Sequence, residues 1–311
     1  MASLRSWLDA CRPKTLVAAA VPVAVGGAVY WNYAISFCDA DSLTCDFVFT
    51  LGCCLGFALG AQIASNFAND LGDALRGADN VGRIGPRRAV SNGLISASAM
   101  RWAIALACAL AFLAGTPLGL RQPVLFLAGS LALVLALGYT LGPLPLAYLG
   151  LGDIFVVGCF GIQATALTVF ALHARTANGS HVPWSPALLA GLGLGLLADN
   201  ILLANNARDK ETDTLAGKRT TVVRFGYAFA KNLHAFNILV GLGCLTLVFG
   251  WVVGLLFPLG LWQHWLFRKA QTPHEFMPFL ARSALLLLLV GLVCVTATCL
   301  GWATSSNIFG R

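Results

Sequence analysis

The stretch QIASNFANDLGDALRGAD at residues 62–79 closes a long apolar segment with Asn and Asp residues at helical spacing. Asn66, Asp70 and Asp73 follow one another at i, i+4 and i+7, so one helix face carries an amide and two carboxylates. Carboxylates on one face repel each other unless a cation compensates their charge. The stretch therefore predicts a helix that ends in a cation-binding face.

A second stretch, NNARDKETDTLAGKR at residues 205–219, repeats this arrangement after another apolar segment. Its Asn205, Asp209 and Asp213 stand at i, i+4 and i+8. Two such faces are explained if they share a metal site. Oxygen ligands of this kind suit Mg²⁺, which completes its shell with water and phosphate oxygens. The predicted metal ligands are therefore the two Asn and four Asp residues of the two faces.

Basic residues follow each stretch and are predicted to hold phosphate oxygens. They are Arg83, Arg87, Arg88, Lys218 and Arg219. Two further side chains have alternative interpretations. Lys14 is either a phosphate contact or a cation that anchors the first apolar segment, and Tyr139 is either a hydrogen-bond donor to phosphate or part of an interfacial aromatic belt. Acidic faces, a divalent cation and adjacent basic side chains together indicate a diphosphate site.

The composition is that of a polytopic, all-α membrane protein. Of the 311 residues, 58% are hydrophobic and 11% are charged, and the mean hydropathy is +0.78. Nine segments are apolar and long enough to span a bilayer. We predict them at 14–34, 47–68, 100–119, 122–141, 152–173, 185–206, 229–249, 250–267 and 281–303.

The distribution of Lys and Arg predicts the orientation in the membrane. With the N-terminus in the cytoplasm, every basic residue except Arg121, Arg175 and Arg311 falls on the cytoplasmic side. Both acidic stretches then face the cytoplasm, and the C-terminus lies outside. This bias accounts for the net charge of +7, so nucleic acid is not expected as a partner.

Among ten Cys residues no spacing is typical of zinc or haem, and pairing of Cys38 with Cys45 stays an open alternative.

These residues resemble a known family. NDLGDALRGAD at 69–79 and NNARDKETDTLAGKRT at 205–220 resemble the two Asp-rich motifs of the UbiA superfamily of intramembrane prenyltransferases. RPKT at 12–15, GRIGPRRAVSNG at 82–93 and AYLGLGD at 147–153 are similar to its 1,4-dihydroxy-2-naphthoate polyprenyltransferase branch. The resemblance extends over nearly the whole chain.

The resemblance implies nine transmembrane helices around a central cavity, with cytoplasmic cap loops at about 69–99 and 207–229. It implies Mg²⁺ as cofactor, a polyprenyl diphosphate as donor, 1,4-dihydroxy-2-naphthoate as acceptor and a bacterial inner membrane, with its lipids, as the location. CO₂ and diphosphate are lost, and demethylmenaquinol, the reduced form of demethylmenaquinone, forms in menaquinone biosynthesis. The catalytic residues that the resemblance implies are Lys14, Asp70, Asp73, Asp209 and Asp213.

Polar residues within the apolar segments are candidates for the acceptor pocket. They are Gln62, Asn69, Asp199 and Asn206. Asp199 either lines this pocket or pairs with another buried group. Ile162, where the branch has Pro, and Asp199 both depart from the branch pattern, so other acceptors such as 4-hydroxybenzoate stay an alternative.

A cation-coupled transporter is the alternative of a different class, although transporter sites lie near the bilayer midplane rather than beside cytoplasmic arginines.

Overall fold

The computed structural model is all-helical over the residues that it describes, which are 2–35, 40–77, 85, 88–142, 145–176 and 181–303. In chain order the helices are α1 Leu4–Cys11, α2 Pro13–Ala34, α3 Ala40–Leu75, α4 Ala97–Arg121, α5 Pro123–Gly138, α6 Leu146–Leu149, α7 Gly152–Phe155, the π-helix Val156–Gln163, α8 Ala164–Thr176, α9 Trp184–Leu215, α10 Thr221–Phe249, α11 Trp251–Gly254, α12 Phe257–Lys269 and α13 Pro273–Cys299.

Helical segments occupy all nine predicted spans, but two of them are short. Seven are long and apolar enough to cross a membrane: α2, α3, α4, the continuous segment from α7 to α8, α9, α10 and α13. The predicted fourth and eighth spans correspond to α5, with 16 residues, and α12, with 13. Both are shorter than the roughly 20 residues that cross a bilayer perpendicularly. Gly250, at φ 85°, ends α10 and separates the predicted seventh and eighth spans.

Two helices continue well beyond their predicted spans. The span predicted at 47–68 continues as α3 to Leu75, and the span predicted at 185–206 continues as α9 to Leu215. The acidic stretches therefore form the polar last turns of these helices. Only residues 216–220 separate α9 from α10, so much of the range expected as a second cap loop is helical.

Helix α9 is the central element of the fold. It packs against α10, the π-helix, α13 and α2. Glycines bring the π-helix and α9 into backbone contact: a Cβ on Gly195 would lie 2.7 Å from the Val157 carbonyl oxygen, and one on Gly191 would lie 2.8 Å from Ile162 Cα. Small residues permit this close approach between membrane helices. The packing fixes the helix that carries the second acidic face.

Candidate active site

A cavity of about 980 Å³ lies between α2, α3, α4, α5, the π-helix, α8 and α9. One end is charged and is lined by residues of both acidic faces and by α1. The other end is apolar and is lined by Phe57, Leu118, Leu125, Phe126 and Ala171, among others. Along α3 the cavity extends from Asp70 to Cys54, which at 1.5 Å per residue is about 24 Å. The shape suits a long apolar molecule with an anionic head.

The two acidic faces meet at the charged end of the cavity. Lys218 Nζ lies 3.1 Å from Asp73 Oδ1 on α3 and 3.5 Å from Asp213 Oδ1 on α9. Both carboxylates are buried. The juxtaposition that the paired stretches predict is therefore present, with an ammonium group between the two carboxylates.

Asp73 has further partners that the sequence did not indicate. Arg88 Nη2 donates to Asp73 Oδ2 at 2.5 Å, and the Tyr148 hydroxyl donates to Asp73 Oδ1 at 3.4 Å. The Tyr148 ring lies between two cations, with Arg76 Cζ 5.1 Å and Lys218 Nζ 5.4 Å from its centroid. Burial raises the pKa of the Tyr148 phenol above its usual value, and the Asp73 charge raises it further. The segment around Tyr148 is thus a third wall of the charged end.

Asp70 binds the backbone of the segment that follows the first acidic face. Its two carboxylate oxygens accept hydrogen bonds from the Ala89 and Val90 N–H groups, each at 2.9 Å. These bonds hold the neighbouring Arg88 against Asp73. Asp70 therefore positions a cation of the site as well as contributing its own charge.

Asp209 forms a two-point ion pair with its neighbour Arg208. Arg208 Nε and Nη2 donate to the two carboxylate oxygens at 2.7 and 2.6 Å, and Nη2 also donates to Asn205 Oδ1 at 2.5 Å. Arg208 is buried and lines the cavity. Arg208 was not among the predicted site residues. The signal was available, because Arg208 stands at i+3 from Asn205 on the same side of α9.

Asn66 and Gln62 bind the N-terminal segment. Asn66 Nδ2 donates to the Cys11 carbonyl at 2.8 Å and to Thr15 Oγ1 at 3.0 Å, and Gln62 Nε2 donates to the same Thr15 oxygen at 3.3 Å. This network holds the junction of α1 and α2 at the mouth of the cavity. Lys14 lines that mouth.

The remaining predicted residues divide into those that line the cavity and those that do not. Gln62, Asn69, Tyr139 and Asn206 line it. Arg219 is exposed and outside the lining; its backbone N–H donates to the Tyr148 carbonyl at 3.3 Å. Arg83, Arg87 and Cys38 lie outside the described residues.

Asp199, a candidate for the acceptor pocket, does not line the cavity. Ala198 lines the cavity, and Asp199 stands about 100° further around α9. Asp199 Oδ2 instead accepts a hydrogen bond from Asn237 Nδ2 on α10 at 2.9 Å. The alternative that Asp199 pairs with another buried group is the one that the structure supports.

The donor set of the charged end fits Mg²⁺ bound together with a phosphate ligand. In the described ranges no three His, Cys, Asp or Glu side chains converge closely enough to form a metal cage. Mg²⁺ commonly uses one or two carboxylates and takes its other ligands from water and phosphate. Asp73 and Asp213, bridged by a single ammonium group, provide such a pair of hard oxygen ligands from facing helices.

Comparison with known proteins identifies the family. A family model described as the UbiA prenyltransferase family matches residues 19–289. The chain belongs to the UbiA prenyltransferase family. Two UbiA relatives named 1,4-dihydroxy-2-naphthoate octaprenyltransferase are each 34% identical to it. The one from Haemophilus influenzae covers 93% of this chain and 94% of its own length, and the one from Escherichia coli covers 96% and 97%.

The fold is also that of solved UbiA structures. A UbiA homolog from Archaeoglobus fulgidus bound to GPP and Mg²⁺ is 17% identical, with a TM-score of 0.58, over 94% of this chain and 99% of that chain. At this identity the likeness concerns the fold alone.

Proposed function

We propose that this protein transfers a polyprenyl group from an allylic diphosphate to 1,4-dihydroxy-2-naphthoate, with loss of CO₂ and diphosphate, in menaquinone biosynthesis. The observation that carries the proposal is the meeting of Asp73 and Asp213 around Lys218 at the charged end of a long apolar cavity. The assignment of 1,4-dihydroxy-2-naphthoate as the acceptor is supported by the relatives that match nearly the whole chain, because both are named 1,4-dihydroxy-2-naphthoate octaprenyltransferase.

The charged end has a division of roles between its acidic and basic residues. The residues that would hold Mg²⁺ are Asn66, Asp70, Asp73, Asn205, Asp209 and Asp213. When bound, Mg²⁺ supplies charge neutralisation to the departing diphosphate. Lys14, Arg88 and Lys218 bind diphosphate oxygens, which orients the allylic C–O bond toward the cavity.

The apolar part of the cavity shields the developing allylic cation from water. The acceptor ring forms the new C–C bond through the carbon that bears its carboxylate. The allylic C–O bond breaks with its electron pair on the diphosphate. The C–CO₂ bond then breaks with its electron pair retained by the ring, so that CO₂ and a prenylated naphthoquinol result. Gln62, Asn69 and Asn206 are the polar lining residues available to orient the acceptor.

The proposal includes the membrane topology. All nine helical segments cross or enter the membrane, with the N-terminus in the cytoplasm, the C-terminus outside and the charged end at the cytoplasmic face of a bacterial inner membrane. Parts of 69–99 and 207–229 cap the cavity on that side. The positive-inside distribution of Lys and Arg supports this orientation.

A product assay on detergent-purified protein tests the proposal. Protein, Mg²⁺, farnesyl diphosphate and 1,4-dihydroxy-2-naphthoate are incubated, and prenylated product and CO₂ are measured by mass spectrometry. We expect a decarboxylated prenyl naphthoquinol whose formation EDTA abolishes. Transfer only to 4-hydroxybenzoate would replace the acceptor, and transfer to no aromatic acceptor would contradict the enzyme class. The acidic residues that line the cavity lie at its charged end beside basic side chains, which supports the enzyme rather than the transporter alternative.

A further inference from the structure

A group of polar side chains lies outside the cavity lining, where α7, α9 and α10 meet. Asn237 Nδ2 on α10 donates to Asp199 Oδ2 at 2.9 Å and to Asn200 Oδ1 at 3.1 Å, both on α9. Asp153 Oδ2 on α7 accepts from Thr221 Oγ1 at 3.0 Å. The two acids lie on neighbouring segments: a Cβ on Gly152, the residue before Asp153, would lie 3.2 Å from Leu202 Cδ2, and Leu202 is one turn from Asp199 on α9. Each acid interacts with the other across this contact between α7 and α9.

No basic side chain compensates these acids within the described part of the chain. None of its ion pairs includes Asp153 or Asp199. Asp199 and Asn237 are at most 1% exposed, and Asp153 is half-buried with its Oδ1 atom fully buried, so water screens Asp199 and Asp153 Oδ1 little. One titratable group of another segment faces them: the Tyr139 hydroxyl lies 2.7 Å from the position of a Cβ on Gly152. A phenol adds no positive charge at neutral pH.

The hydrogen-bond inventory indicates what is missing. Asp153 Oδ1 and Asp199 Oδ1 are both buried and have no hydrogen-bond partner. Two ionised carboxylates only accept hydrogen bonds, so neither can donate to the other. Two carboxylates in contact in a low-dielectric site do not both ionise, because the second charge is too unfavourable. A single proton removes one charge and supplies the missing donor.

We propose that Asp153 and Asp199 form a buried acid pair that binds one proton, with the protonated carboxyl group donating to the ionised one. The bound proton joins α7 to α9, and Asn237 joins the pair to α10. A hard metal ion fits less well. Mg²⁺ and Ca²⁺ take about six or more oxygens, whereas the buried atoms without partners here are three oxygens and the Asn200 amide nitrogen. The pair is separate from the proposed diphosphate site.

Infrared difference spectroscopy tests the proposal on the intact native protein. We expect a C=O stretching band of a neutral carboxylic acid at pH 7 that shifts in ²H₂O. Asp199→Asn and Asp153→Asn each replace the shared proton with an amide N–H that can donate to the remaining carboxylate. Both variants should lose the band and keep a melting temperature within about 4 °C of the native value. Glu211→Gln is the matched control, because Glu211 is an exposed acid on the same helix α9; it should leave the band unchanged.

Three results would overturn the proposal. The native protein would show no neutral-acid band, the band would persist in either Asn variant, or the native melting temperature would depend on Na⁺ at constant ionic strength, which would indicate a metal cation instead of a proton. The native infrared band and the Na⁺ dependence of the native melting temperature do not require a variant, so they test the proposal even if a variant does not fold. None of them depends on prenyl transfer.

Discussion

At the scale of single residues, Lys218 is the side chain whose charge compensates the two acidic faces where they meet. Asp73 and Asp213 face each other at the charged end of the cavity, and the Lys218 ammonium contacts both. Without a cation between them, two buried carboxylates at this spacing would destabilise the fold. With Mg²⁺ and diphosphate bound as proposed, Asp73 and Asp213 would hold the metal and Lys218 would bind a phosphate oxygen.

Replacing either carboxylate should therefore remove catalysis and preserve the fold. We expect Asp73→Asn and Asp213→Asn to lower Mg²⁺-dependent turnover on the order of 10²-fold or more, because charge stabilisation of a leaving group has about this value. Turnover is measured by the product assay, and folding by melting temperature. Glu211→Gln, an exposed acid on the same helix as Asp213, is the control and should keep its activity. Near-normal turnover in both Asn variants would remove these residues from the metal site.

Tyr148 is expected to position Asp73 through its hydroxyl group. Tyr148→Phe keeps the ring between its two cations and removes only the hydrogen bond to Asp73. We expect the half-saturating Mg²⁺ concentration to rise about 2- to 10-fold, since a hydrogen bond contributes about 0.5–1.5 kcal/mol. The measurement is a Mg²⁺ titration of turnover, together with Mg²⁺-induced stabilisation in the presence of a non-hydrolysable prenyl diphosphate analogue.

Tyr227→Phe is the matched control for this prediction. The Tyr227 ring also stacks near a lysine, with Lys210 Nζ 4.4 Å from its centroid, but its buried hydroxyl has no hydrogen-bond partner. Its removal should leave the Mg²⁺ dependence unchanged. Equal shifts in the two variants would mean that Tyr148 acts through general packing instead of through Asp73.

At the scale of helices, the contact between the π-helix and α9 sets the position of the second acidic face. A Cβ on Gly161 would overlap the Gly191 carbonyl oxygen and the Gly195 backbone. We expect Gly161→Ala to lower the stability by about 1–3 kcal/mol, as overpacking does. Gly158→Ala, on the same π-helix with open space around its Cβ position, should be neutral. Thermal unfolding in detergent measures both, and equal melting temperatures would contradict the close packing.

Apolar runs predicted most of these elements, and the helical spacing of Asn and Asp residues predicted the two acidic faces. These patterns were sufficient because each lies within a single helix. The two alternatives for Asp199 could not be decided from the sequence, because tertiary packing brings Asn237 of α10 to it. Arg208 was not predicted although it is adjacent to Asp209 on the same helix. Tyr148 could not be predicted, because its role depends on the tertiary fold bringing its segment to Asp73. The backbone N–H groups that bind Asp70 come from a segment whose path no local pattern specifies.

At the scale of the whole molecule, the outer surface and the cavity are both largely apolar but serve different ligands, lipid outside and the proposed prenyl chain inside. Large apolar side chains such as Trp102, Leu113 and Leu127 are 67–76% exposed, which suits contact with lipid and not with water. The cavity, in contrast, is proposed to hold the prenyl chain of the donor. Its apolar end is lined by side chains of α2, α3, α4, α5 and α8, including Val23, Leu118, Leu125 and Ala171.

Filling this apolar end should shorten the longest prenyl chain that the enzyme accepts. Ala171 on α8 packs in one cluster with Cys54, which lies about 24 Å along α3 from Asp70. Ala171→Phe should therefore reduce transfer from octaprenyl diphosphate and spare transfer from farnesyl diphosphate. The ratio of the two turnover rates is measured under identical conditions. Ala174→Phe places the same ring less than one turn further along α8, at an exposed position, and should leave the ratio unchanged. Unchanged turnover with both donors in Ala171→Phe would mean that the prenyl chain does not reach this end of the cavity, and an equal loss with both would indicate a general packing defect.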